Sequence, residues 1–176
     1  MRQFTETGLV AVDLANTWDE YLDEPERLPD VTELRRFFRE LDEDPRGVEE
    51  EDLPAVREVR GRLRGVLAAE PAGRARVLAE WVAGLPVRAA VEEAGGVPRL
   101  RLVAPEGATA AGRLAVRAVA ELLELAASGD WERLRQCAAT PCTDAFVDRS
   151  RPGKRQFCST RCANRAHAQA SRARHR

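Results

Sequence analysis

All four cysteines of the 176-residue chain lie in its last quarter, with the spacing Cys137-x4-Cys142-x15-Cys158-x3-Cys162. Each close pair places two sulfurs near one point, and the loop between the pairs lets all four converge. Four thiolates in a tetrahedron about 2.3 Å from the metal form a common structural zinc site. The spacing therefore predicts that this segment folds around Zn²⁺, and it leaves two disulfides or free thiols as the alternatives.

Other sequence features favour a structural zinc site. The chain begins without a basic region followed by a long apolar run, and no stretch approaches the roughly 18 apolar residues of a membrane span. We therefore expect a cytoplasmic protein with reduced thiols and no membrane partner. A catalytic zinc site keeps an open position and mixes in His, Glu or water, whereas this segment offers four cysteines. The only histidines, His167 and His175, lie in the predicted terminal helix. We expect His167 to be exposed to solvent, with contact to the metal as the alternative. Because the segment is too short for a core of its own, metal binding and folding should be one event.

The charges of the chain are divided unevenly between its two parts. The segment from Trp131 to Arg176 has eleven Arg or Lys and three Asp or Glu, whereas the remainder has 17 basic and 26 acidic residues. This asymmetry indicates a polyanionic partner for the basic segment. Ser128-Gly129-Asp130 ends a helical pattern and is the only plausible boundary. We predict one domain over residues 1–129 and a zinc module over residues 130–176.

Apolar residues repeat with the helical period over most of the first 127 residues. This pattern predicts an N-terminal helical domain. Together with one small β-hairpin and the C-terminal zinc-binding module that ends in a helix, it gives an α+β fold that is mostly helical. The predicted helices span about 30–41, 53–69, 74–83 and 108–127, with a short helix or helical turn within 8–17. Alternating residues on both sides of Gly95-Gly96 predict the hairpin.

Turn signals subdivide the cysteine segment. Thr140-Pro141 favours a turn between the first two cysteines, and Pro152-Gly153 favours another in the long loop. The second turn predicts a short hairpin between residues 146–148 and 155–157. Ser159 is placed to cap a terminal helix that begins near the third cysteine.

Arginines of this terminal helix form one stripe at about 100° per residue, beside a stripe of alanines that we expect to pack toward the zinc site. The basic side chains suit contact with phosphates, with the helix in the major groove as one arrangement. An asparagine near the helix start has the chemistry to read adenine or to cap the helix. The predicted nucleic-acid contacts are Lys154, Arg155, Arg161, Asn164, Arg165, Arg172 and Arg176. The alternative is a solvated face, or one that pairs with the acidic body.

Two motifs resemble known families. Cys-x4-Cys-x3-Phe-Val-Asp-Arg-Ser, followed by Lys-Arg-Gln-Phe-Cys-Ser-x2-Cys-Ala-Asn-Arg, resembles the CGNR zinc finger. Val12-Asp13-Leu14-Ala15-Asn16-Thr17 resembles the Asp-x-x-Asn-Thr signature of the ABATE domain, which commonly precedes that finger. The resemblance implies zinc ligation by the four cysteines, DNA contact by the finger, a ligand-sensing front domain and a bacterial transcription regulator. The family's glycine is Ala163 here, which is strained if φ is positive and favourable if the position is helical.

Asp13, Asn16 and Thr17 are polar residues within or beside an apolar segment, where burial requires hydrogen-bond partners. A small-molecule effector is one such partner, and Trp18 and Trp81 are then candidate walls of its pocket. The structural alternative is that the three polar residues cap helices or brace loops while the tryptophans pack in the core. The sequence thus gives a prediction of ligand binding beside a structural interpretation.

The first 130 residues show no pattern typical of catalysis. They contain no Cys or His, no Gly-rich phosphate loop, and no Ser, Thr or Tyr beside a base in a recognisable motif. We therefore expect a transcription regulator rather than an enzyme, with DNA as its partner and a small ligand as its control. A zinc finger that contacts protein or RNA is the alternative. A homodimer is compatible with the small contact area of one finger, although no interface is visible in the sequence.

Overall fold

Six α-helices and two small antiparallel sheets form the part of the chain that the computed structural model describes, which is Phe4 and residues 6–174. The helices are α1 (Val10–Ala15), α2 (Val31–Glu40), α3 (Asp52–Ala68), α4 (Pro71–Val82), α5 (Ala110–Ala127) and α6 (Thr160–Arg174). The strands are β1 (Arg88–Ala94), β2 (Val97–Val103), β3 (Leu134–Gln136) and β4 (Ala145–Val147). The predicted fold class, α+β and mostly helical, is confirmed. Within the described residues, no helix is both long and apolar enough to cross a bilayer.

Helix α1 lies at the centre of the hydrophobic core. All six of its residues are buried, and it packs against α3, α5 and β4. Its sequence is apolar on every side except at Asp13, as a helix surrounded by other elements requires. The short helix predicted within residues 8–17 is confirmed.

Local sequence signals set the ends of the longer helices. Side-chain oxygens of Asp30 and Thr109 accept hydrogen bonds from the amides three residues later, at 2.9 and 3.1 Å. These bonds satisfy amides that have no partner in the first turns of α2 and α5. Gly129 follows α5 with a φ of 81°, a left-handed conformation that ends many helices. Helix α4 begins at Pro71, three residues before the predicted start, because the fixed φ of proline suits the first helical position.

Strands β1 and β2 form the predicted hairpin. Gly95 and Gly96 make its turn with φ values of 63° and 79°, as a two-residue turn of this kind requires. Strand β2 lies beside α5, which covers only the end of the hairpin distant from the turn. Val91 and Leu100 are cross-strand neighbours and are each 72% exposed. The hairpin is therefore attached to the helical layer at one end only.

The second sheet differs from the prediction. Strand β4 pairs with β3, so the predicted hairpin between residues 146–148 and 155–157 is wrong. The buried carboxylate of Asp148 instead accepts a hydrogen bond from the Arg155 amide at 2.8 Å. The Gln156 carbonyl accepts one at 2.9 Å from an amide in the first cysteine loop. Side-chain and loop hydrogen bonds thus replace the strand pairing that the turn signal predicted.

The second sheet shares a hydrophobic core with the helices. We call the described residues up to Asp130 the body and residues 131–174 the finger. Leu134 and Ala145 of the finger are buried within the same cluster as the helices of the body. Arg74 of α4 also donates a hydrogen bond to the Leu134 carbonyl at 2.9 Å. The predicted domain boundary after residue 129 separates two segments that pack together, and the division into two domains stays a prediction.

A buried ion pair fixes the loop between α1 and α2. Arg60 of α3 donates to both carboxylate oxygens of Glu26 at 2.6 Å, and Arg60 is 6% exposed. Arg57 lies 3.3 Å from the same carboxylate. Burial acts to raise the pKa of Glu26, but the Arg60 guanidinium and its neighbours outweigh it and hold that pKa below its ordinary value.

Arg60→Met is expected to destabilise the protein by about 2 kcal/mol at neutral pH, less than the ~3–5 kcal/mol of a fully buried pair, because Glu26 keeps Arg57. Folding lowers the pKa of Glu26. Its contribution is therefore complete above the unfolded value of about 4.3 and is lost as pH falls through the folded value. Urea unfolding with a chelator present, from neutral to acidic pH, should show the advantage of the unaltered chain shrinking with acid. An advantage that stays constant would contradict the ion-pair account.

Candidate metal centre and basic helix

The four cysteine sulfurs form one cluster at the start of α6. All four Sγ atoms lie within 4.8 Å of one another. The Sγ of Cys158 lies 3.8 Å from that of Cys142 and 3.5 Å from that of Cys162. A tetrahedron with metal–sulfur distances of about 2.3 Å places its sulfurs about 3.8 Å apart, whereas a disulfide bond is about 2.05 Å long. The four free thiols therefore fit a zinc site and not two disulfides.

Each cysteine is placed by a different local element. Cys137 directly follows β3, and Cys142 follows a two-residue turn. Cys162 lies in the first turn of α6, where its amide donates to the Ser159 hydroxyl oxygen at 3.2 Å. The Cys158 amide donates to the Sγ of Cys137 at 3.4 Å. The turn predicted at Thr140-Pro141 and the helix cap predicted at Ser159 are confirmed.

The sulfur cluster holds its protons unequally. A hydrogen bond with Cys142 is the main cause that lowers the pKa of Cys158 to about 5, against the effect of burial. The same contact, together with burial, raises the pKa of Cys142, and burial raises the pKa of Cys137 to about 11. Zinc must displace the protons of the remaining thiols, so metal affinity should increase with pH.

Histidine lies outside the sulfur cluster. The His167 side chain is exposed, and its ring centroid is 5.9 Å from that of Phe157. His175 falls outside the described residues. In the described part of the chain, the clustered candidate ligands are the four cysteines alone. A closed set of four sulfurs is the donor set of structural rather than catalytic zinc sites.

Ala163 occupies a regular helical position. Its amide donates to the Ser159 carbonyl at 3.1 Å, within the range of α6. Alanine is the most favourable residue in a helix interior. The position at which the resembling family has glycine is therefore unstrained in this chain.

Exposed cations line α6 and the loop before it. Arg161 and Arg172 of α6 and Lys154 of the loop are exposed. Across Phe4 and residues 6–174, none of these three has a carboxylate within 4.0 Å. Asn164 is exposed on the same helix, and Arg176 falls outside the described residues. These cations remain available to an external polyanion.

Two other predicted nucleic-acid contacts are engaged within the protein. Arg155 donates hydrogen bonds to the carbonyls of Phe157 and Cys158. Arg165 is half-buried, with its guanidinium carbon 3.8 Å from the centroid of the Tyr21 ring. Both side chains brace the surroundings of the cysteines, and their contact with nucleic acid stays a prediction.

The alanine stripe of α6 packs only near the start of the helix. Ala166 packs against the cysteine cluster, but Ala170 and Ala173 are exposed. The prediction that the whole stripe faces the zinc site is wrong, because the small finger cannot cover a helix of 15 residues, about 22 Å long. The alanines in the second half of α6 therefore face solvent.

The sequence patterns do not single out three further exposed arginines. They are Arg149 and Arg151, which follow β4, and Arg174 in the last turn of α6. The sequence signal for these three residues is the high arginine content of residues 131–176 as a whole. A helical wheel gives no information about residues in a loop. These residues enlarge the exposed basic surface.

Asp13 is a buried carboxylate that organises the chain before α1. It is 1% exposed and accepts hydrogen bonds from the amides of Glu6, Thr7 and Gly8 at 3.0 to 3.2 Å. The Thr7 hydroxyl donates to it at 2.9 Å. Burial raises the pKa of Asp13 against the effect of these hydrogen bonds. Its hydrogen-bonding capacity is used within the protein.

Asn16 joins the body to the finger. Its Nδ2 donates to the Ala145 carbonyl at 3.0 Å, and its Oδ1 accepts from the Ala145 amide at 2.8 Å. The Asn16 side chain therefore pairs with β4 as a neighbouring strand would. Thr17 is fully buried, and its hydroxyl donates to the Leu14 carbonyl at 2.7 Å and accepts from Arg60 at 3.2 Å.

A cavity of about 60 Å³ borders Asp13 and Asn16, and Arg27 forms another part of its lining. Pockets for metabolite-sized ligands usually measure about 300–1,000 Å³. Trp81 is buried in the core, and Trp18 lies under the Arg60 guanidinium at 5.6 Å. The structural interpretation therefore accounts for the three polar residues, and their binding of an effector stays a prediction.

Comparison with protein-family models gives two matches. Residues 8–141 match the ABATE model, described as putative stress-induced transcription regulator. Residues 133–175 match the model described as CGNR zinc finger. No match was found among curated proteins. The two matched ranges overlap in residues 133–141, which contain β3 and the first cysteine.

Proposed function

Since the chain belongs to the ABATE family and has a CGNR zinc finger at its carboxyl end, we propose that it regulates transcription by binding duplex DNA through that finger. The exposed cations of α6 and of the preceding loop, which have no carboxylate partner among the described residues, carry this proposal. The proposal assigns binding rather than catalysis to the chain. Zn²⁺, held by the four cysteines, is its resident metal.

Charge separation within the molecule supports contact with DNA. Cations that approach phosphates release condensed counterions, and this release provides most non-specific affinity. Arg161, Arg172 and Lys154 are exposed for such contact, whereas the body has an excess of acidic residues. An acidic body is repelled by the phosphates and turns the basic finger toward the duplex.

The exposed side of α6 has dimensions and chemistry suited to the major groove. At 100° per residue, Arg161 and Arg172 lie about 20° apart, and Ala168 lies about 20° to the other side. Ala168 lies between the two arginines along the helix axis, and its small side chain allows the helix to approach the duplex closely. A helix about 22 Å long fits along a groove that is about 12 Å wide. With α6 in the groove, Asn164 lies near the start of the helix, where its amide can contact a base edge.

Zinc, when bound, supplies a cross-link between the first turn of α6 and the loops around the second sheet. Cys162 is the ligand that lies in α6, so the metal fixes the direction in which the helix leaves the finger. The hydrogen bonds from Arg155 to the carbonyls of Phe157 and Cys158 hold the segment that enters the helix. The basic surface is thereby presented in one orientation.

Control by a small ligand is the finer part of the proposal. Asn16 binds the backbone of Ala145, and Arg74 binds the carbonyl of Leu134, so the body holds both strands of the finger. A ligand that binds the body more tightly in one arrangement of these contacts shifts the position of the finger and its DNA affinity. The segment containing Asp13, Asn16 and Thr17 is the element through which such a shift would pass.

Replacing both Arg161 and Arg172 with methionine is expected to weaken duplex binding roughly 30-fold, at about 1 kcal/mol for each lost contact. The slope of log affinity against log salt should also fall by about 2, since each phosphate contact contributes about 1. Fluorescence anisotropy with a labelled duplex at several salt concentrations measures both quantities. Arg76→Met, which removes an exposed arginine of α4, is the matched control and should change neither.

Selection from random duplexes with the zinc-loaded protein tests contact and sequence preference together. We expect enrichment of a common motif whose binding is weakened in the double variant. An absence of enrichment, with duplex binding that does not depend on the two arginines, would contradict the proposal. Preferential binding of single-stranded RNA or of an acidic protein would favour the alternative function of the finger.

A further inference from the structure

We infer that the body completes the metal centre of the finger, with Tyr21 and Arg165 forming an outer layer that stabilises the Cys162 thiolate. Tyr21 lies in the loop between α1 and α2, 141 residues before Cys162 in the sequence. The inference rests on the zinc site of the proposed function and is independent of DNA binding. It makes zinc retention by the finger dependent on a residue of the body.

The Tyr21 hydroxyl lies beside a sulfur of the cluster. Its oxygen is 3.9 Å from the Sγ of Cys162, and its ring packs against the buried cysteines. A neutral thiol donates its proton to the hydroxyl oxygen, but a metal-bound thiolate has no proton, and the hydroxyl then becomes the donor. Hydrogen bonds of this kind orient metal ligands and lower the energy of their charge.

Arg165 adds a positive charge on the same side of the site. Its guanidinium lies over the Tyr21 ring at 3.8 Å, a cation–π contact. Its Nη1 is buried and has no hydrogen-bond partner among the residues described, and no carboxylate lies within 4.0 Å of the side chain there. The buried side of such a half-buried cation is stabilised by a nearby anion. Four thiolates outweigh the charge of one Zn²⁺, so the loaded site provides that anion.

The loop that carries Tyr21 is anchored to the finger beside the cysteines. Glu20 accepts a hydrogen bond from the hydroxyl of Thr143, the residue after Cys142. Arg64 of α3 donates to both Glu20 Oε1 and Thr143 Oγ1 at 2.7 Å. These bonds fix the loop against the metal site, as a directed hydrogen bond from Tyr21 to a ligand requires.

This inference gives two neighbouring arginines of α6 different roles. Arg165 lies 40° from Arg161 around the helix, on the side nearer Cys162, and its long side chain reaches the body. Arg161 is exposed. Loss of Arg165 should first reduce metal retention, whereas loss of Arg161 should first reduce DNA affinity.

Tyr21→Phe in the full zinc-loaded chain tests the inference, because it removes the hydroxyl and keeps the ring. Zinc affinity, measured by competition with a chromogenic chelator, should fall about tenfold, the lower end of typical outer-layer effects. With Co²⁺ in place of zinc, the thiolate-to-metal charge-transfer band should shift to lower energy, since the thiolate loses a hydrogen bond. Leu22→Ala, an exposed position in the same loop, is the control and should change neither quantity.

A second pair of variants tests the charge of Arg165. Arg165→Met should lower zinc affinity by a similar factor, and Arg165→Lys should restore most of it. Unchanged zinc affinity and an unchanged cobalt spectrum in Tyr21→Phe would overturn the inference, as would an equal loss of affinity in Leu22→Ala. Zinc affinity and the cobalt spectrum are measured without DNA. They therefore test this inference even if the protein does not bind DNA.

Discussion

In the Cys142→Ser variant, we expect stoichiometric zinc to be lost and the amides of α6 to exchange with solvent as in an unfolded peptide. Structural zinc sites have apparent binding free energies of about 10–16 kcal/mol near pH 7, and they need all of their thiolates. Around the cysteines, the partly buried apolar contacts in the described chain are Tyr21, Phe157 and Ala166. These contacts are too few to order a 15-residue helix without the metal. Elemental analysis and hydrogen exchange with mass spectrometry measure the two effects.

Ala138→Ser is the control for this variant. It places the same hydroxyl at an exposed position of the same loop, so zinc content and protection of α6 should be unchanged. Helices α3 and α5 should also stay protected in Cys142→Ser, because most of their contacts are with other helices of the body. Protection of α6 in zinc-free Cys142→Ser would contradict the role of the metal in organising the finger.

Asn16→Ala is expected to destabilise the protein by about 4 kcal/mol and to uncouple the finger from the body. The substitution leaves the amide and carbonyl of buried Ala145 without their side-chain partner, and each such group costs about 1–3 kcal/mol. Urea unfolding should be followed by circular dichroism for the helices of the body and by hydrogen exchange for α6. The two signals should change together in the unaltered chain and separately in the variant.

Two further variants serve as a control and as a second test of the bonds between Asn16 and Ala145. Gln136→Ala removes an exposed amide that donates to the Thr143 carbonyl, and it should change stability by no more than about 0.5 kcal/mol. Asn16→Asp places a carboxylate oxygen against the Ala145 carbonyl and should be at least as harmful as Asn16→Ala. A loss below about 1 kcal/mol in Asn16→Ala, with one shared transition, would show that Asn16 does not couple the two parts.

The three polar residues of the α1 segment connect different parts of the fold. Asp13 holds the backbone of residues 6–8, and Asn16 pairs with β4. Thr17 accepts a hydrogen bond from Arg60, which binds Glu26 in the loop after α1. Because α1 itself is fully buried, these bonds make the α1 segment one of the structural links between the helical body and the finger.

Local patterns predicted the elements that depend on nearby residues. Helices α3 and α5 follow from apolar residues at helical spacing, and the end of α5 follows also from Gly129 after it. The first hairpin follows from its two glycines. The sulfur cluster follows from the geometry of thiolates around zinc, which restricts the spacing of ligands more than any apolar pattern does.

Contacts between distant residues account for what the sequence could not predict. Strands β3 and β4 have three residues each, too few for a recognisable alternation. Asn16 and Ala145 are 129 residues apart, and nothing local to Asn16 identifies its partner. A helical wheel places Arg165 with the outward arginines because it omits the loop of the body that lies beside α6. The ring of Tyr21 in that loop lies 3.8 Å from the Arg165 guanidinium carbon, a contact that the wheel does not show.

The most direct test is the duplex affinity of one protein preparation with and without zinc, measured by fluorescence anisotropy at about 0.1 M salt. If a zinc-organised α6 binds DNA, the loaded protein should bind a selected duplex about 100-fold more tightly than the chelated protein. Tight binding should return when zinc is added back and not when magnesium is added. Equal affinity of the two forms, with their zinc contents verified, would contradict the claim that the metal builds the DNA-binding surface.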